Sequence, residues 1–487
     1  MIGICCHGGY VPRYRLKRSL IYKAMGWMNA ATVANARGEK AVANFDEDSI
    51  TLAVAAGRDA LENCDRSVIE GLYLASTTLP YKERLNAGIV AAALSLNDQV
   101  RAADFTGGLK AGTTALLAGL DGVASGKMEQ ALVCASDCRL GKPASTMEMI
   151  PGDASAAFVL GSEKVIAEFK GSFSTTYDFV DHYRGDGAQF DRQWEDRWIR
   201  DMGFEQLIPE AVRGLADKCG MKTADFSKVV YPCIYPPVRK KLNKILGFGP
   251  DVEQSNLQEE MGESGAAHAL VMLSAALEQS RPGDRILVVS FGGGCDALCF
   301  EVTGQISRAS YGGGISAGLA GRVDLDNYTK YLVWRNILPA DGGLRAEEDE
   351  WTRWSMLWRK RKEVLGLWGS KCLKCGTVQY PQQRICVNPD CGASDEMDEY
   401  LFSDKTGRVS SFTADMLAPS VNPPAIYGQI EFDGGGKYLM DFTDCDLSEV
   451  KGGLQMVMSF RRKYMDEKRG VCGYFWKAVP KREVSNG

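Results

Sequence analysis

The sequence predicts a duplicated α/β fold over residues 1–305, followed by two smaller units. The main observation is a set of helix and strand patterns that recur in the same order about 155 residues apart. A second is that the strands are continuous apolar runs between helices, which is typical of sheets covered on both faces. The length of 487 residues agrees, since roughly 100–200 residues per domain suggest about three compact units.

The duplication is inferred from helices and strands that recur in the same order and at nearly the same spacing. In the first copy they are an amphipathic helix over residues 48–64 with Ser49 as its N-cap, the strand GLYLAS at 71–76, a small-residue helix at 110–125 and the strand ALVCAS at 131–136. In the second copy they are a helix that ends at Cys219, the strand KVVYPC at 228–233, a small-residue helix at 265–279 and the strand ILVVSF at 286–291. We therefore predict two halves of one fold, at residues 1–165 and 166–305.

Composition and charge limit the class of protein. Hydrophobic residues make up 45% and charged residues 24% of the chain, as in folded proteins. The net charge of -5 gives no sign of the positively charged surface that binds nucleic-acid phosphates, so we expect no nucleic-acid partner. No run approaches the ~20 apolar residues of a membrane helix, and the N-terminus lacks the pattern of a signal peptide. We expect a cytoplasmic protein without a membrane partner, in which most of the 15 cysteines are reduced and buried.

Four segments of the first 305 residues carry a resemblance to a known family. They are GGYVPRYRL at 8–16, GEKAVANFDEDSITLAVAAGRDAL at 38–61, GGLKAGTTAL at 107–116 and PGDRILVVSFGGGCDALCFEV at 282–302. Together they resemble 3-hydroxy-3-methylglutaryl-CoA synthase of the archaeal type, a member of the thiolase superfamily. The resemblance implies a duplicated thiolase-like fold in five layers (α-β-α-β-α), a coenzyme A thioester as substrate and association into dimers.

The same resemblance implies a catalytic Cys, His and Glu, and all three positions depart from that pattern. The Cys position is Leu109, the Glu position is Thr77, and the His position falls at Pro232 or Cys233. A thiolate is needed to take an acyl group from a thioester, so Leu109 excludes an acyl-enzyme unless another Cys replaces it. Cys233 is the candidate replacement nucleophile, and a buried inert thiol is the alternative.

Glu263 is the first candidate for acid/base chemistry. It lies in the turn Gly-Glu-Ser-Gly that opens the second small-residue helix, where the synthases carry an Asn that polarises the thioester carbonyl. A partly desolvated carboxylate can exchange protons near neutral pH. The alternative is a carboxylate that only complements the positive end of the helix.

Phenols and imidazoles supply further catalytic candidates. Tyr235, near the displaced His position, and Tyr81, in TTLPYKER, could donate protons, although packed aromatics are the commoner fate of such residues. His268 lies five residues after Glu263 and is either catalytic or a core histidine. His182 and His7 are weaker candidates.

Substrate contacts are expected at loops and at nearby cations. Thr77 and Leu109 take the family positions that face the substrate, and Gly293 and Gly294 follow the strand ILVVSF, where their amides could hold an oxyanion. Tyr81, Lys110 and Lys240 are further candidates for contact with acyl-CoA, the two lysines through coenzyme A phosphates. A solvated helix face is the alternative for Lys240.

The C-terminal part carries a metal-binding pattern. Residues 306–367 are predicted to be a linker and a Trp-rich helical segment. Four thiols follow in the spacing C-x2-C-x10-C-x4-C, which predicts a tetrahedral, structural zinc site in a ribbon at 368–396; they are Cys372, Cys375, Cys386 and Cys391. Alternating strands over 397–487 predict a five-stranded β-barrel of the OB-fold type.

This half resembles the zinc-ribbon and OB-fold proteins that accompany thiolases, except that its last Cys pair has four intervening residues where those proteins usually have two. We expect that the longer knuckle still binds the metal. Such partners use the barrel for acyl-CoA binding or subunit contact. The resemblance implies a homodimer or a complex with another thiolase-superfamily chain.

Three functions remain open from the sequence. The first is a carbon–carbon lyase that cleaves a β-hydroxyacyl-CoA by a retro-aldol reaction, which needs a base and an oxyanion site but no acyl-enzyme. The second is a synthase-like or thiolase-like acyltransferase that uses Cys233 or a partner chain. The third is a non-catalytic coenzyme-A-binding or scaffold subunit.

Overall fold

The computed structural model describes residues 1–308, 313–347 and 352–482. The chain divides into two compact units: one comprises Met1–Ala43, Asp48–Ala91 and Leu96–Tyr331, and the other Asn44–Glu47, Ala92–Ser95 and the residues from Leu332 onward. The boundary between Tyr331 and Leu332 falls inside the segment 306–367 that is predicted to be a linker and a helical segment. Parts of it, at 309–312 and 348–351, lie outside the described residues.

The first unit contains most of the helices and strands. Its strands are β1 (Gly3–Tyr10), β2 (Tyr14–Lys17), β3 (Glu39–Val42), β4 (Ile69–Ala75), β5 (Arg101–Phe105), β6 (Gln130–Asp137), β7 (Ala154–Gly161), β8 (Ala167–Thr176), β9 (Lys228–Val230), β10 (Arg285–Phe291), β11 (Gly294–Val302) and β12 (Val323–Asp324). The helices up to residue 334 are α1 (Arg18–Met25), α2 (Ser49–Ala60), α3 (Asn86–Ala93), α4 (Ala111–Ala124), α5 (Thr146–Met149), α6 (Asp196–Trp198), α7 (Ile208–Cys219), α8 (Pro236–Leu246), α9 (His268–Glu278), α10 (Gly314–Ala320) and α11 (Tyr328–Trp334). A π-helical stretch, Ile199–Leu207, joins α6 to α7.

The main sheet shows the duplication directly. Its strand order is β5-β4-β6-β7-β1-β8-β11-β10-β9. The run β4-β6-β7-β1 is matched by β9-β10-β11-β8, and in both runs the first pair is parallel and the next two pairs are antiparallel. Short pairing of β1 with β8 joins the two halves into one ladder. The predicted thiolase-like arrangement of two equivalent halves is confirmed.

Both faces of this sheet are buried. Along β10, Ile286 and Val288 pack into one hydrophobic cluster, while Leu287 and Val289 pack into another. The first cluster contains the small-residue helices α4 and α9. Close packing explains those small residues, because a Cβ at Gly112 of α4 would come within 2.3 Å of the Ala266 carbonyl oxygen.

Three predicted boundaries differ from the structure for local reasons. Asp48, not Ser49, is the N-cap of α2, because its carboxylate accepts from the Thr51 amide. Strand β9 ends at Val230, before Pro232, which has no amide to donate to a ladder. The second small-residue helix begins as a 3₁₀ turn at Gly265–Ala267 and becomes α-helical only at His268.

The second unit contains two small sheets. Its strands are β13 (Trp368–Cys372), β14 (Val378–Gln379), β15 (Met397–Leu401), β16 (Gly407–Asp415), β17 (Ala425–Phe432), β18 (Lys437–Asp441), β19 (Gln455–Asp466) and β20 (Val471–Pro480), and its helices are α12 (Trp354–Arg359) and α13 (Arg361–Gly366). The sheet orders are β14-β13-β15 and β18-β17-β16-β19-β20. Across the described ranges of the chain, no helix is long and apolar enough to span a membrane.

Candidate functional site

Two adjoining cavities in the first unit form the candidate site. The larger has a volume of about 610 Å³ and is lined by Thr77, Lys110 and Gly293, among others. The smaller, of about 60 Å³, is lined by Leu109 and Pro232, among others. Asp181 and His182 line both cavities, so the two spaces meet there. The structure thus brings together the three positions at which the sequence departs from the family's catalytic residues.

The smaller cavity combines an apolar wall with one ionic group. Leu109, Phe204 and Phe291 are among its apolar residues, and Arg139 and Glu263 supply charge. Of the two candidates for the family's His position, Pro232 lines this cavity and Cys233 does not. Proline offers no proton to transfer, so any acid/base group here must come from another position.

Arg139 organises the charges around the smaller cavity. It follows the end of β6; its Nη1 donates to Glu263 Oε2 at 2.7 Å and its Nε donates to Asp191 Oδ2 at 2.6 Å. The side chains of Arg139, Glu263 and Asp191 are only 3%, 6% and 3% exposed. Burial lowers the pKa of Arg139, but Glu263, Asp191 and Asp137 outweigh burial and raise the pKa above its usual value. Glu263 is therefore a buried carboxylate that faces a full positive charge.

Asp137, the last residue of β6, fixes the backbone around the site. Its carboxylate accepts from the Thr77 amide at 2.8 Å, from the Thr77 hydroxyl at 2.9 Å and from the Ala266 amide at 2.7 Å. Burial is the main cause that raises the pKa of Asp137. Because its hydroxyl is held by Asp137, Thr77 has a structural role, and nothing at this position replaces the family's Glu in proton transfer.

Two loops meet beside the larger cavity. A Cβ at Gly292 would lie 2.6 Å from the Leu109 amide nitrogen, so only glycine allows this approach. Gly293, with φ of +64°, lines the larger cavity, whereas Gly294 is the first residue of β11 and pairs with Thr176. Of the two glycines predicted to hold an oxyanion, Gly293 lines the larger cavity and Gly294 lines neither cavity.

Lys110 lines the larger cavity, but its charge is already paired. Its Nζ lies 3.0 Å from Asp296 Oδ1, and Asp296 also accepts from the Thr113 hydroxyl at 2.9 Å. The ammonium group therefore ties the start of α4 to β11. Its predicted contact with coenzyme A phosphates would have to compete with this buried carboxylate.

Three predicted catalytic residues line neither cavity, although each lies directly behind residues that line the smaller one. Cys233 is fully buried, and burial raises the pKa of its thiol to about 12, which disfavours a nucleophilic thiolate. Tyr235 accepts from Gln193 Nε2 at 2.5 Å, and burial raises the pKa of its hydroxyl. His268 is also fully buried; its Nδ1 accepts from the Ser264 amide at 3.0 Å and its Nε2 lies 2.8 Å from the Asn256 carbonyl oxygen. The structure favours the core role for His268.

Two predicted substrate contacts also fall outside the cavities. Lys240 is exposed on α8 and lines neither cavity, so the solvated helix face is the better interpretation. Tyr81 lines neither cavity. Its backbone is hydrogen-bonded to the Asn86 side chain, and the centre of its ring lies 4.6 Å from Cζ of the Arg84 guanidinium.

The cavities also bring in Arg139, Asp181 and Asp191, which the sequence did not single out, and His182, which was a weaker candidate. Arg139 carried one signal, since it lies three residues after the end of the predicted strand at 131–136, where polar groups gather at a sheet edge. Asp181, His182 and Asp191 lie in a polar stretch between elements, without periodicity, and nothing in such a stretch indicates that it folds over a cavity. The structure shows that this stretch forms part of both cavity walls.

The four predicted zinc ligands come together in the second unit. The sulfur atoms of Cys372, Cys375, Cys386 and Cys391 all lie within 4.8 Å of one another. The Cys372–Cys391 and Cys375–Cys386 sulfur pairs are 3.7 Å and 3.5 Å apart. Zn–S bonds of about 2.3 Å in a tetrahedron place sulfur atoms nearly 4 Å apart, so the cluster fits zinc, and the longer second knuckle does not prevent it.

Comparison with known proteins identifies the family of the first unit. The hydroxymethylglutaryl-CoA synthase of Methanopyrus kandleri is 34% identical over 313 residues, which are 63% of this chain and 89% of that protein. The chain belongs to the hydroxymethylglutaryl-CoA synthase family. The enzyme of the same name from Pyrococcus furiosus is 33% identical over 311 residues, which are 62% of this chain and 87% of that protein.

Solved structures agree on the fold of this hydroxymethylglutaryl-CoA synthase relative. A structure of HMG-CoA synthase complexed with CoA has a TM-score of 0.60 at 17% identity and covers 68% of this chain and 89% of that one. A structure of MvaS in complex with 3-hydroxy-3-methylglutaryl coenzyme A has a TM-score of 0.59 at 20% identity and covers 70% of this chain and 92% of that one. Both similarities concern the thiolase-like fold.

The second unit distinguishes this member of the synthase family. Residues 359–398 match the family described as ChsH2, rubredoxin-like zinc ribbon domain. With the cysteine cluster, this match confirms the predicted zinc ribbon; the predicted range was 368–396.

Zinc removal is expected to unfold the ribbon. In Cys386→Ser, a buried ligand is lost and the free energy of metal binding no longer stabilises the fold around it. We expect the zinc content, measured by atomic emission, to fall from one per chain to below about 0.2, with new proteolytic cleavage within 359–398. Cys219→Ser, outside the cluster, should keep one zinc. Full zinc content in Cys386→Ser would contradict the ligand assignment.

Proposed function

We propose that this protein is an acyl-CoA carbon–carbon lyase, which cleaves a β-hydroxyacyl-CoA by a reversible retro-aldol reaction without an acyl-enzyme. One observation carries the proposal: in the part of the chain that the structure describes, no cysteine lines either cavity. Leu109 faces the smaller cavity at the family's nucleophile position, and Cys233 is buried behind the wall. An acyl group therefore has no thiol to receive it.

The remaining groups are sufficient for an aldol reaction. Glu263 is the proposed base: its carboxylate takes the β-hydroxyl proton while the Cα–Cβ bond breaks. The β-carbon becomes a carbonyl group, the electron pair of the broken bond moves into the thioester enolate, and protonation at Cα releases the acyl-CoA. Backbone amides of the Leu109 and Gly293 loops are suitable donors to the enolate oxygen, because the two loops are in contact beside the cavity.

The larger cavity is the proposed place for the thioester and the adjoining pantetheine arm. Its volume of about 610 Å³ suits such a ligand, and it shares Asp181 and His182 with the smaller cavity, which Leu109 and Glu263 line. Two solved structures of the same fold hold CoA and 3-hydroxy-3-methylglutaryl coenzyme A, and the second ligand is itself a β-hydroxyacyl thioester.

A synthase-like acyltransferase is the second candidate. It is favoured by the 34% identity to a hydroxymethylglutaryl-CoA synthase across 89% of that enzyme. It would require a thiol from a rearranged segment or from another chain. A non-catalytic scaffold is the third possibility, and it gives no reason for a buried Arg139–Glu263 pair on a cavity wall.

The five-stranded sheet of the second unit is proposed to form an OB-type barrel. Its strand order is β18-β17-β16-β19-β20, and a barrel would require the edge strands β18 and β20 to meet. The bridge between Phe442, which directly follows β18, and Ala478 of β20 supports this closure. Homodimer formation, or assembly with another thiolase-superfamily chain, stays a prediction from the resemblance.

The absence of an acyl-enzyme can be tested by mass. We expect the purified protein, incubated with acetyl-CoA or propionyl-CoA and measured intact under gentle conditions, to gain no covalent acyl group, and Cys233→Ala to behave identically. A titration should show that both proteins still bind coenzyme A. As a positive control, Leu109→Cys places a thiol just before α4 and should gain one acyl group per chain. An adduct on the unaltered protein that Cys233→Ala abolishes would contradict the lyase and support the transferase.

A further inference from the structure

His182 lies where the smaller and larger cavities meet. Its Nδ1 is 2.7 Å from Asp181 Oδ2, and the two side chains are 13% and 12% exposed. A carboxylate can only accept a hydrogen bond, so in the neutral ring the proton is on Nδ1 and the lone pair is on Nε2. Among the described residues, Nε2 has no hydrogen-bond partner. The ring is therefore oriented by one neighbour and has a basic nitrogen left for another molecule.

The chain has three histidines, and the other two are unsuited to this role. His7 is on β1, where its Nδ1 lies 2.8 Å from the Ser274 hydroxyl, and its side chain is buried. His268 uses both ring nitrogens inside the core. Of the described residues, His182 is the only histidine on a wall of these two cavities.

The location of His182 also compensates for a lost group. The family's His position is Pro232 here, and Pro232 and His182 line the same small cavity. An imidazole thus reaches the cavity from the stretch between β8 and α6 and not from the segment after β9. Glu263 lines that cavity too, paired with Arg139. The site therefore offers two proton-transfer groups on its wall.

We propose that His182 is the base that acts at the α-carbon of the acyl thioester, with Asp181 as its positioning residue. This inference rests on the proposed function. In the condensing direction, Nε2 takes one α-proton, the C–H electron pair moves into the thioester enolate, and the new imidazolium keeps its Nδ1–H bond to Asp181. In the cleaving direction the imidazolium returns that proton to Cα. Glu263 transfers the proton of the β-hydroxyl group. His182 and Glu263 therefore each transfer one of the two protons.

Exchange of the α-protons tests this assignment without any cleavage. Propionyl-CoA and acetyl-CoA are incubated with the full-length protein in D₂O, and deuterium uptake is followed by mass spectrometry. We expect exchange well above the protein-free rate. His182→Gln should lower it at least about 100-fold, and Asp181→Asn about 10-fold, with the Kd for coenzyme A within about twofold in both. Glu263→Gln should keep exchange while it loses cleavage. Asp121→Asn, exposed on α4, should change neither.

The outcomes separate this inference from the proposed function. Exchange that depends on His182, in a protein that cleaves no β-hydroxyacyl-CoA, would refute the lyase and leave the α-base assignment standing. Cleavage by the unaltered protein, together with full exchange by His182→Gln, would refute the assignment and leave the lyase standing. Equal loss of exchange in His182→Gln and Glu263→Gln would also refute it, because the two protons would then share one base. A loss of coenzyme A affinity without a change in the exchange rate at saturation would make His182 a binding residue only.

Discussion

Glu263→Gln is expected to lower the kcat for cleavage of a β-hydroxyacyl-CoA by about 10²–10⁴, with KM changed by less than about threefold. The amide has nearly the same shape but cannot take a proton. Glu263 is buried on the cavity wall, and Arg139, at 2.7 Å, holds it in one orientation. Steady-state kinetics with the carbonyl product trapped as a hydrazone would measure both constants.

Glu301→Gln is the matched control for this substitution. Glu301 also pairs with an arginine, Arg285 at 3.1 Å, but it is half-exposed on β11 and lines neither of the two cavities. The kcat of Glu301→Gln should stay within about twofold of the kcat of the unaltered protein. A Glu263→Gln protein with normal kcat would exclude Glu263 as the base and leave only an electrostatic role for it.

Arg139→Met is expected to lower the free energy of unfolding by about 3–5 kcal/mol, because it removes the cation from two buried carboxylates. Asp191 keeps a second partner in Arg184 at 3.2 Å, whereas Glu263 loses its ion pair with Arg139. Urea unfolding, followed by fluorescence, would give the difference. The same variant should also lose cleavage, since Glu263 is no longer held in place.

Two further variants identify the cause of that loss. Arg285→Met, which breaks the half-exposed pair with Glu301, should cost less than about 1 kcal/mol. Arg139→Met combined with Glu263→Gln should recover part of the stability, since it removes the unpaired charge along with the cation. If the double variant is no more stable than Arg139→Met, the cost comes from lost packing of the Arg139 side chain.

Most of the fold could be predicted from the sequence, because repeats and apolar runs are local signals. The register between residues 131–136 and 286–291 predicted β6 and β10, which occupy equivalent places in the sheet. The spacing of the four cysteines predicted the metal cluster, because short knuckles bring ligands together without knowledge of the rest of the chain. The Pro232 position shows the limit, because the apolar pattern continued past the point where the strand ends.

The candidate site was predicted only in part, because it depends on contacts distant in sequence. Leu109, Thr77 and Pro232 were found through the family resemblance, and they do line the cavities. Arg139 and Glu263 are 124 residues apart, and neither has a local pattern that indicates the other. His268 was a candidate because it follows Glu263 closely in sequence, with a core histidine as the favoured alternative, and it is buried in the core. His182 looked unfavourable because loop residues give no indication of which surface they cover.

The central claim is that the protein breaks a carbon–carbon bond without carrying an acyl group. The most direct measurement is a single-turnover reaction with protein in excess, using a panel of β-hydroxyacyl-CoA substrates labelled in the acyl chain and quenched at successive times. The account predicts that acyl-CoA and the carbonyl product appear together in a 1:1 ratio, with no label on the protein at any time. Label that appears on the protein before the products, or condensation of acetyl-CoA with acetoacetyl-CoA in a protein that cleaves no member of the panel, would contradict it.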